Sequence, residues 1–326
     1  MNASSLAGLQ NFRLDAAKQQ TGDQMAGIYQ HHEKEFGHLI QGSAKLETLY
    51  SDCRWAEGPV WFGDANQLLW SDIPNNRMMR WTPDGGASVY RHNSNYINGN
   101  TRDREGRLVS CSHGGRNVVR TELDGSVTVL ADSYRGRKLN APNDVVVKSD
   151  GTIWFTDPGY GILSDYEGFK GEFEQDGCYV FCLDPATGTL KVVVDDFIRP
   201  NGLAFSPDEP ILYVADSAYS HGEDLPRHIR AFDVHADNTV GNSRVFCVTD
   251  VGLPDGFRVD DRGNIWTSAW DGVHCFNPSG VLLGKLLTPD VVANVEFGGP
   301  RRNRLFICAT QSLHSIYLAV NGATRP

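Results

Sequence analysis

The chain has 326 residues, 40% of them hydrophobic and 10% aromatic, with a formal net charge of -10. Such proportions are those of a folded globular chain. The acidic balance, with no basic stripe to offset it, argues against nucleic acid or an anionic membrane as a partner, and no apolar run is long enough to span a bilayer.

Residues 1–43 contain no charged segment followed by an apolar core, so no signal peptide is expected and the chain reads as cytoplasmic. Within this extension, residues 28–39 read as one modest amphipathic helix. Such a helix would pack on the rest of the chain or on a second subunit of a homodimer; a frayed arm is the alternative. Residues 44–50 then alternate as a strand.

From there a unit repeats six times. A polar residue, often after proline, opens a short apolar strand; a turn follows, then a second strand. The second strands fall at 66–72, 106–112, 151–157, 210–216, 263–269 and 303–309. Their third residues, Leu68, Leu108, Ile153, Leu212, Ile265 and Leu305, are spaced by 40, 45, 59, 53 and 40 positions. Periods of this size built from short strands indicate a propeller. Each unit adds two further strands joined by turns such as Asp124-Gly125, a strong hairpin signal. Four strands in each of six units predict an all-β, six-bladed β-propeller with an N-terminal extension. A β-sandwich does not account for the six-fold repeat. The sixth unit ends near Val320 without room for a fourth strand, so 44–50 is expected to supply it. The expected division is an extension over 1–43 and a propeller over 44–326, with no open edge in its last blade.

Insertions at 158–177 and 217–227 follow second strands. In an antiparallel blade, second strands end on the face where first strands begin. Extra loop length on one face marks the functional face.

The residues heading the six first strands are Glu57, Asn98, Asn143, Asn201, Asp255 and Asn294. They precede the reference Leu or Ile of the next strand by 11, 10, 10, 11, 10 and 11 positions, so they hold equivalent places. First strands are innermost in a propeller, and these side chains should converge at one mouth of the central channel. All six offer oxygen, and none is His or Cys. Carboxylates and amide oxygens together suit a hard cation, Ca²⁺ or Mg²⁺, rather than zinc. At one blade a turn-forming role would explain such a residue as well. Six in register, with Glu at one of them, favour a site. The seven cysteines, an odd number, read as reduced structural thiols.

The start Glu57-Gly-Pro-Val-Trp, with Pro-Asn143-Asp, Pro-Asn201-Gly-Leu and Pro-Asp255-Gly on successive blades, resembles the family of senescence marker protein, gluconolactonase and luciferin-regenerating enzyme. The similarity covers nearly the whole propeller and is greatest to bacterial gluconolactonase-like members. It implies one divalent metal ion at the channel mouth, most often calcium, held by Glu57, Asn143, Asn201 and Asp255. It also implies proton transfer at the aspartate matching Asp255. Two departures bear on the pocket: Tyr96 stands where animal members place arginine, and Cys111-Ser112-His113-Gly114 replaces Cys-Glu-His-Gly.

The chemistry expected is opening of a sugar lactone, a small-molecule substrate, with Asp255 as base and His113 donating to the leaving alkoxide. Asn98 and Asn294, with Tyr160, Tyr219 and Trp270 behind second strands, are the expected substrate contacts. Asp72, Asp157 and Asp216, which end second strands, read as supports or turn residues. Two other readings stay open: hydrolysis of an organophosphate or other ester at the same metal site, and a non-enzymatic sugar-binding or protein-interaction propeller.

Overall fold

The computed structural model describes residues 27–323. Six antiparallel sheets are arranged around a channel. Blade one comprises Ala56–Phe62, Gln67–Asp72, Arg77–Thr82 and Gly86–His92. Blade two comprises Ile97–Arg102, Leu108–Ser112, Asn117–Thr121 and Val127–Ala131. Blade three is built from Val145–Val147, Ile153–Asp157, Cys178–Asp184 and Thr189–Phe197. Blade four is built from Pro200–Phe205, Ile211–Asp216, His228–Val234 and Val240–Val248. The first four strands of blade five are Phe257–Val259, Ile265–Ser268, Gly272–Phe276 and Leu282–Leu287. In blade six, Val292–Gly298, Arg304–Ala309 and Ser312–Tyr317 are joined by Glu47–Tyr50, which pairs antiparallel with Ser312–Tyr317 at the outer edge. Innermost strands touch from blade to blade, and that of blade six touches that of blade one, so the ring is closed.

The burial pattern follows strand position. Ala56–Phe62, Pro200–Phe205 and Val292–Gly298 are buried along their whole length. The outer strand Val127–Ala131 is exposed along most of its length. Between blades, aromatic side chains fill the wedge. Trp154 packs with Leu203, Phe205 and Val214 of blade four, and Trp266 packs with Val295 and Phe297 of blade six. Both tryptophans are fully buried, which stabilises the ring by roughly 4–6 kcal/mol each. All seven cysteines are buried and free.

The extension differs from the expected helix. Tyr29–His31 is a fifth strand on blade five, paired with Leu282–Leu287, and Lys34–His38 is a 3-10 turn. Phe36 is fully buried beside Trp266 and Gly284. The reason is local: Phe36 fills space left by a missing Cβ at Gly284, and the edge of blade five accepts a strand. The packing of Phe36 and Leu39 into the core between blades five and six carries the core across the expected boundary at residue 43. Residues 1–26 of the extension lie outside the described part. Among the described residues, no helix is long and apolar enough to cross a membrane.

Candidate active site

Neighbouring ring positions are brought close where one blade's inner strand leans on the next. Gly58, Gly202 and Gly256 directly follow ring residues. A Cβ on Gly58 would collide with the Asn98 carbonyl, and one on Gly202 with the Asp255 carbonyl. Glycine therefore lets successive strands approach closely enough to close a narrow mouth. The Gly202 N–H donates to the Asp255 carbonyl at 3.2 Å, and the Gly99 N–H to the Asn143 carbonyl at 2.8 Å.

Second strands hold the ring from behind. The Ser71 hydroxyl donates to the Asn98 carbonyl at 2.7 Å, and the Thr156 hydroxyl to the Asn201 carbonyl at 2.8 Å. Ser268 Oγ accepts from the Asp255 N–H at 2.8 Å. Asp72, Asp157 and Asp216 clamp the segments leading into ring residues. Asp72 accepts from the Arg54 N–H at 2.9 Å, and Asp157 from the N–H groups of Asn140 and Ala141, both at 2.7 Å. Asp216 accepts from those of Ile198 and Arg199.

At the mouth, Glu57 Oε2 accepts from the Gly58 N–H at 2.6 Å and from Asn294 Nδ2 at 3.0 Å. Burial pushes the Glu57 carboxyl up to about 7, against these two bonds. Asp255 retains partial exposure. Its carboxyl is held well above the ordinary range by desolvation, then by the charges of Glu57, Asp144 and Glu167; a hydrogen bond from Asn201 works the other way. Two carboxylates in one field, with the Asn294 and Asn201 amides beside them, are residue types that a hard dication would accept.

Asn98 and His113 form a pair. Asn98 Nδ2 lies 3.3 Å from His113 Nε2, and His113 Nδ1 lies 3.0 Å from the Glu167 carbonyl. A carbonyl can only accept, so Nδ1 carries the proton and Nε2 accepts from Asn98. The ring is buried, and desolvation lowers its pKa to about 4. An unfolded chain takes up the proton near pH 6.5, which the folded chain refuses until about pH 4, so stability is lost as pH falls through that window. Urea unfolding at pH 7 and pH 4.5 should show wild type losing about 2–3 kcal/mol more than His113→Asn over the interval. Equal losses would contradict a buried neutral imidazole.

The aromatic candidates follow the second strands of blades three, four and five. Tyr219 and Trp270 have ring centroids 5.8 Å apart. Tyr160 lies against His221, its hydroxyl 3.4 Å from Ser220 Oγ, and the charge of Asp255 reaches it.

Three charged residues near the mouth have no place in the sequence reading. Asp144, beside Asn143, is buried, and its Oδ2 has no hydrogen-bond partner; Arg258 Nη1 lies 3.9 Å away. Arg258 Nε donates to Glu296 at 2.9 Å, so its guanidinium sits in the channel beneath the ring. A charge at the middle of an inner strand, in Phe257–Val259, is a signal that could have identified it. Glu167 belongs to the 158–177 insertion, where the repeat gives no register. Farther along the inner strands, a cavity of about 60 Å³, room for a few waters, is lined by Arg102, Arg258, Arg302 and Glu296 among others and by none of the ring residues. On blade five, Asp250, Asp271 and His274 also cluster. There the Lys285 ammonium, 2.7 Å from Asp250 Oδ1 and 3.0 Å from Asp271 Oδ2, already takes a cation's place.

Residues 55–311 match the model of the SMP-30/Gluconolactonase/LRE-like region. The chain is 32% identical to a gluconolactonase of Zymomonas mobilis over 84% of its own length and 82% of the relative's. It is 30% identical to a pentonolactonase of Haloferax volcanii, over 79% and 82% respectively. A solved gluconolactonase structure from Xanthomonas campestris superposes with a TM-score of 0.83 at 37% identity, covering 89% of this chain and 94% of that one. The repeat, the closed six-bladed ring and the matched region together place the chain in the SMP-30/gluconolactonase/LRE-like family.

Proposed function

We propose that the chain hydrolyses a sugar lactone at the mouth ringed by Glu57, Asn98, Asn143, Asn201, Asp255 and Asn294. The observation that carries this reading is the meeting of Glu57 and Asp255, both raised in pKa, within a collar of amide side chains. The relatives named as lactonases support the reaction class.

Glu57, Asn143, Asn201 and Asp255 would hold one divalent metal ion, and calcium suits an all-oxygen set. Such an ion supplies polarisation of the ester carbonyl and a counter-charge for the developing oxyanion. The chain's own residues do the rest. Asp255 takes the proton from the attacking water. Asn294 steadies Glu57 through its amide nitrogen. Asn98 meets the substrate with its amide pre-set by His113. His113, neutral and engaged at both ring nitrogens, supports a holding role better than donation to the leaving alkoxide. Tyr160, Tyr219 and Trp270 form an apolar wall for one face of the sugar ring.

Proton release from a panel of aldonolactones, with an aryl phosphotriester alongside, tests the reading. Sugar lactones should be opened well above their spontaneous rate. Turnover of the phosphotriester alone would favour the ester-hydrolase alternative, and saturable binding without turnover a sugar-binding propeller.

A further inference from the structure

We propose that Glu167 is a substrate-binding residue whose carboxylate accepts hydrogen bonds from the hydroxyls of a polyhydroxylated lactone, and so selects sugar lactones over plain ones. The inference rests on the lactonase reading above and names a group that reading does not use.

Glu167 is presented by an insertion tied down along its length. Its carbonyl accepts from His113 Nδ1 at 3.0 Å. Gly161 packs against the His113 ring and Gly168 against the Gly161 backbone, each without room for a Cβ. Phe169 meets Tyr96 edge-on, with centroids 5.3 Å apart. Further along, Gln175 Nε2 donates to the carbonyls of Arg137 and Lys138, both at 2.9 Å. A carboxylate carried on such a segment is pre-positioned, which lowers the ordering cost of binding.

Glu167 is anchored at the mouth through its carbonyl, 3.0 Å from His113 Nδ1, and its carboxylate lies near enough for its charge to bear on Glu57 and Asp255. Its Oε1 is buried with no hydrogen-bond partner. Asp144 Oδ2 is open as well, but the Arg258 guanidinium lies 3.9 Å from it, whereas Asp72, Asp157 and Asp216 are satisfied by backbone N–H groups. A buried acceptor left open costs free energy until a donor arrives. Hydroxyl groups are such donors. Glu57, Asp144, Glu167 and Asp255 together disfavour an anionic partner, so a neutral polyol fits.

The test compares wild type, Glu167→Gln and Glu167→Asp in saturating calcium. The substrates are D-glucono-δ-lactone and δ-valerolactone, the same six-membered ring without hydroxyls. Glu167→Gln should raise KM for the gluconolactone about 10–100-fold, the size of a hydrogen bond to a charged acceptor, with kcat within a few-fold. δ-Valerolactone kinetics should not change, and Glu167→Asp should fall between. Calorimetric binding of 1,5-anhydroglucitol, which cannot be hydrolysed, should weaken by the same factor. Equal changes on both lactones, or none on either, would overturn the proposal. If wild type opens neither lactone, the lactonase reading fails, and anhydroglucitol binding still decides Glu167: weakening supports it and no change refutes it. Should Glu167→Gln not fold, Glu167→Asp gives the same comparison.

Discussion

Replacing Asp255 by Asn should lower kcat for lactone opening by roughly 10²–10⁴-fold, the range of general acid–base catalysis, even at saturating calcium. The substitution keeps a carbonyl oxygen at the position and removes both a charge and a base. Its amide still has Asn201 beside it, and its backbone N–H still reaches Ser268 Oγ, so the corner itself is retained. Loss of a charged ligand should weaken the divalent ion; loss of a base should lower the rate once the ion is restored. Titrating calcium against rate separates the two effects. Full recovery of kcat in excess calcium would assign Asp255 to ligation alone. A plateau far below wild type would leave the proton-transfer role in place.

Gly256→Ala should disable the site without unfolding the chain, although Gly256 carries no chemistry. A Cβ there would collide with the Asn294 carboxamide. The obstacle is a side chain rather than backbone, so Asn294 can rotate away and the strand can stay paired. Rotation takes Asn294 Nδ2 from Glu57 Oε2, a bond of 3.0 Å that fixes one of the two acidic ring residues. Charge-assisted bonds of this kind contribute about 1.5–3 kcal/mol, so calcium affinity or kcat/KM should fall on the order of 10–100-fold. Thermal unfolding should shift little by comparison. Gly202→Ala makes a useful contrast, because there the added atom meets the Asp255 backbone carbonyl and the blade itself must move. A Gly256→Ala protein with wild-type calcium affinity and turnover would contradict the coupling of Asn294 to Glu57.

The architecture was legible because a propeller writes its period into the chain. Leu68, Leu108, Ile153, Leu212, Ile265 and Leu305 lie on second strands, and the residues about ten positions before them lie at the head of the inner strands or just ahead of them. Register alone therefore located Glu57 and its five equivalents. The aspartates ending second strands read as supports or turn residues alike, and the atoms they hold were not legible; Asp157 binds two successive backbone N–H groups, which no pattern of residue types specifies. Legibility ended where the repeat ended. Glu167 lies in an insertion outside the repeat, so nothing in its spacing aimed it at the mouth. The 28–39 segment has helical spacing but forms a strand and a 3-10 turn, because blade five offers a free edge and Gly284 a space for Phe36. Tertiary opportunity overrode local propensity there. His113 was recognisable as a residue of the functional face, whereas its neutral state depends on burial between Asn98 and the Glu167 carbonyl.

The central claim is that this mouth opens lactones with the help of an ion held by Glu57, Asn143, Asn201 and Asp255. The most direct measurement is pH-stat hydrolysis of D-glucono-δ-lactone by wild type, corrected for the spontaneous reaction, in chelator and after calcium is added back, with metal content read on the same sample. The expected result is one equivalent of divalent ion per chain, a rate that falls to the spontaneous level in chelator, and recovery with calcium. Enzymatic hydrolysis that persists in metal-free protein would contradict the account.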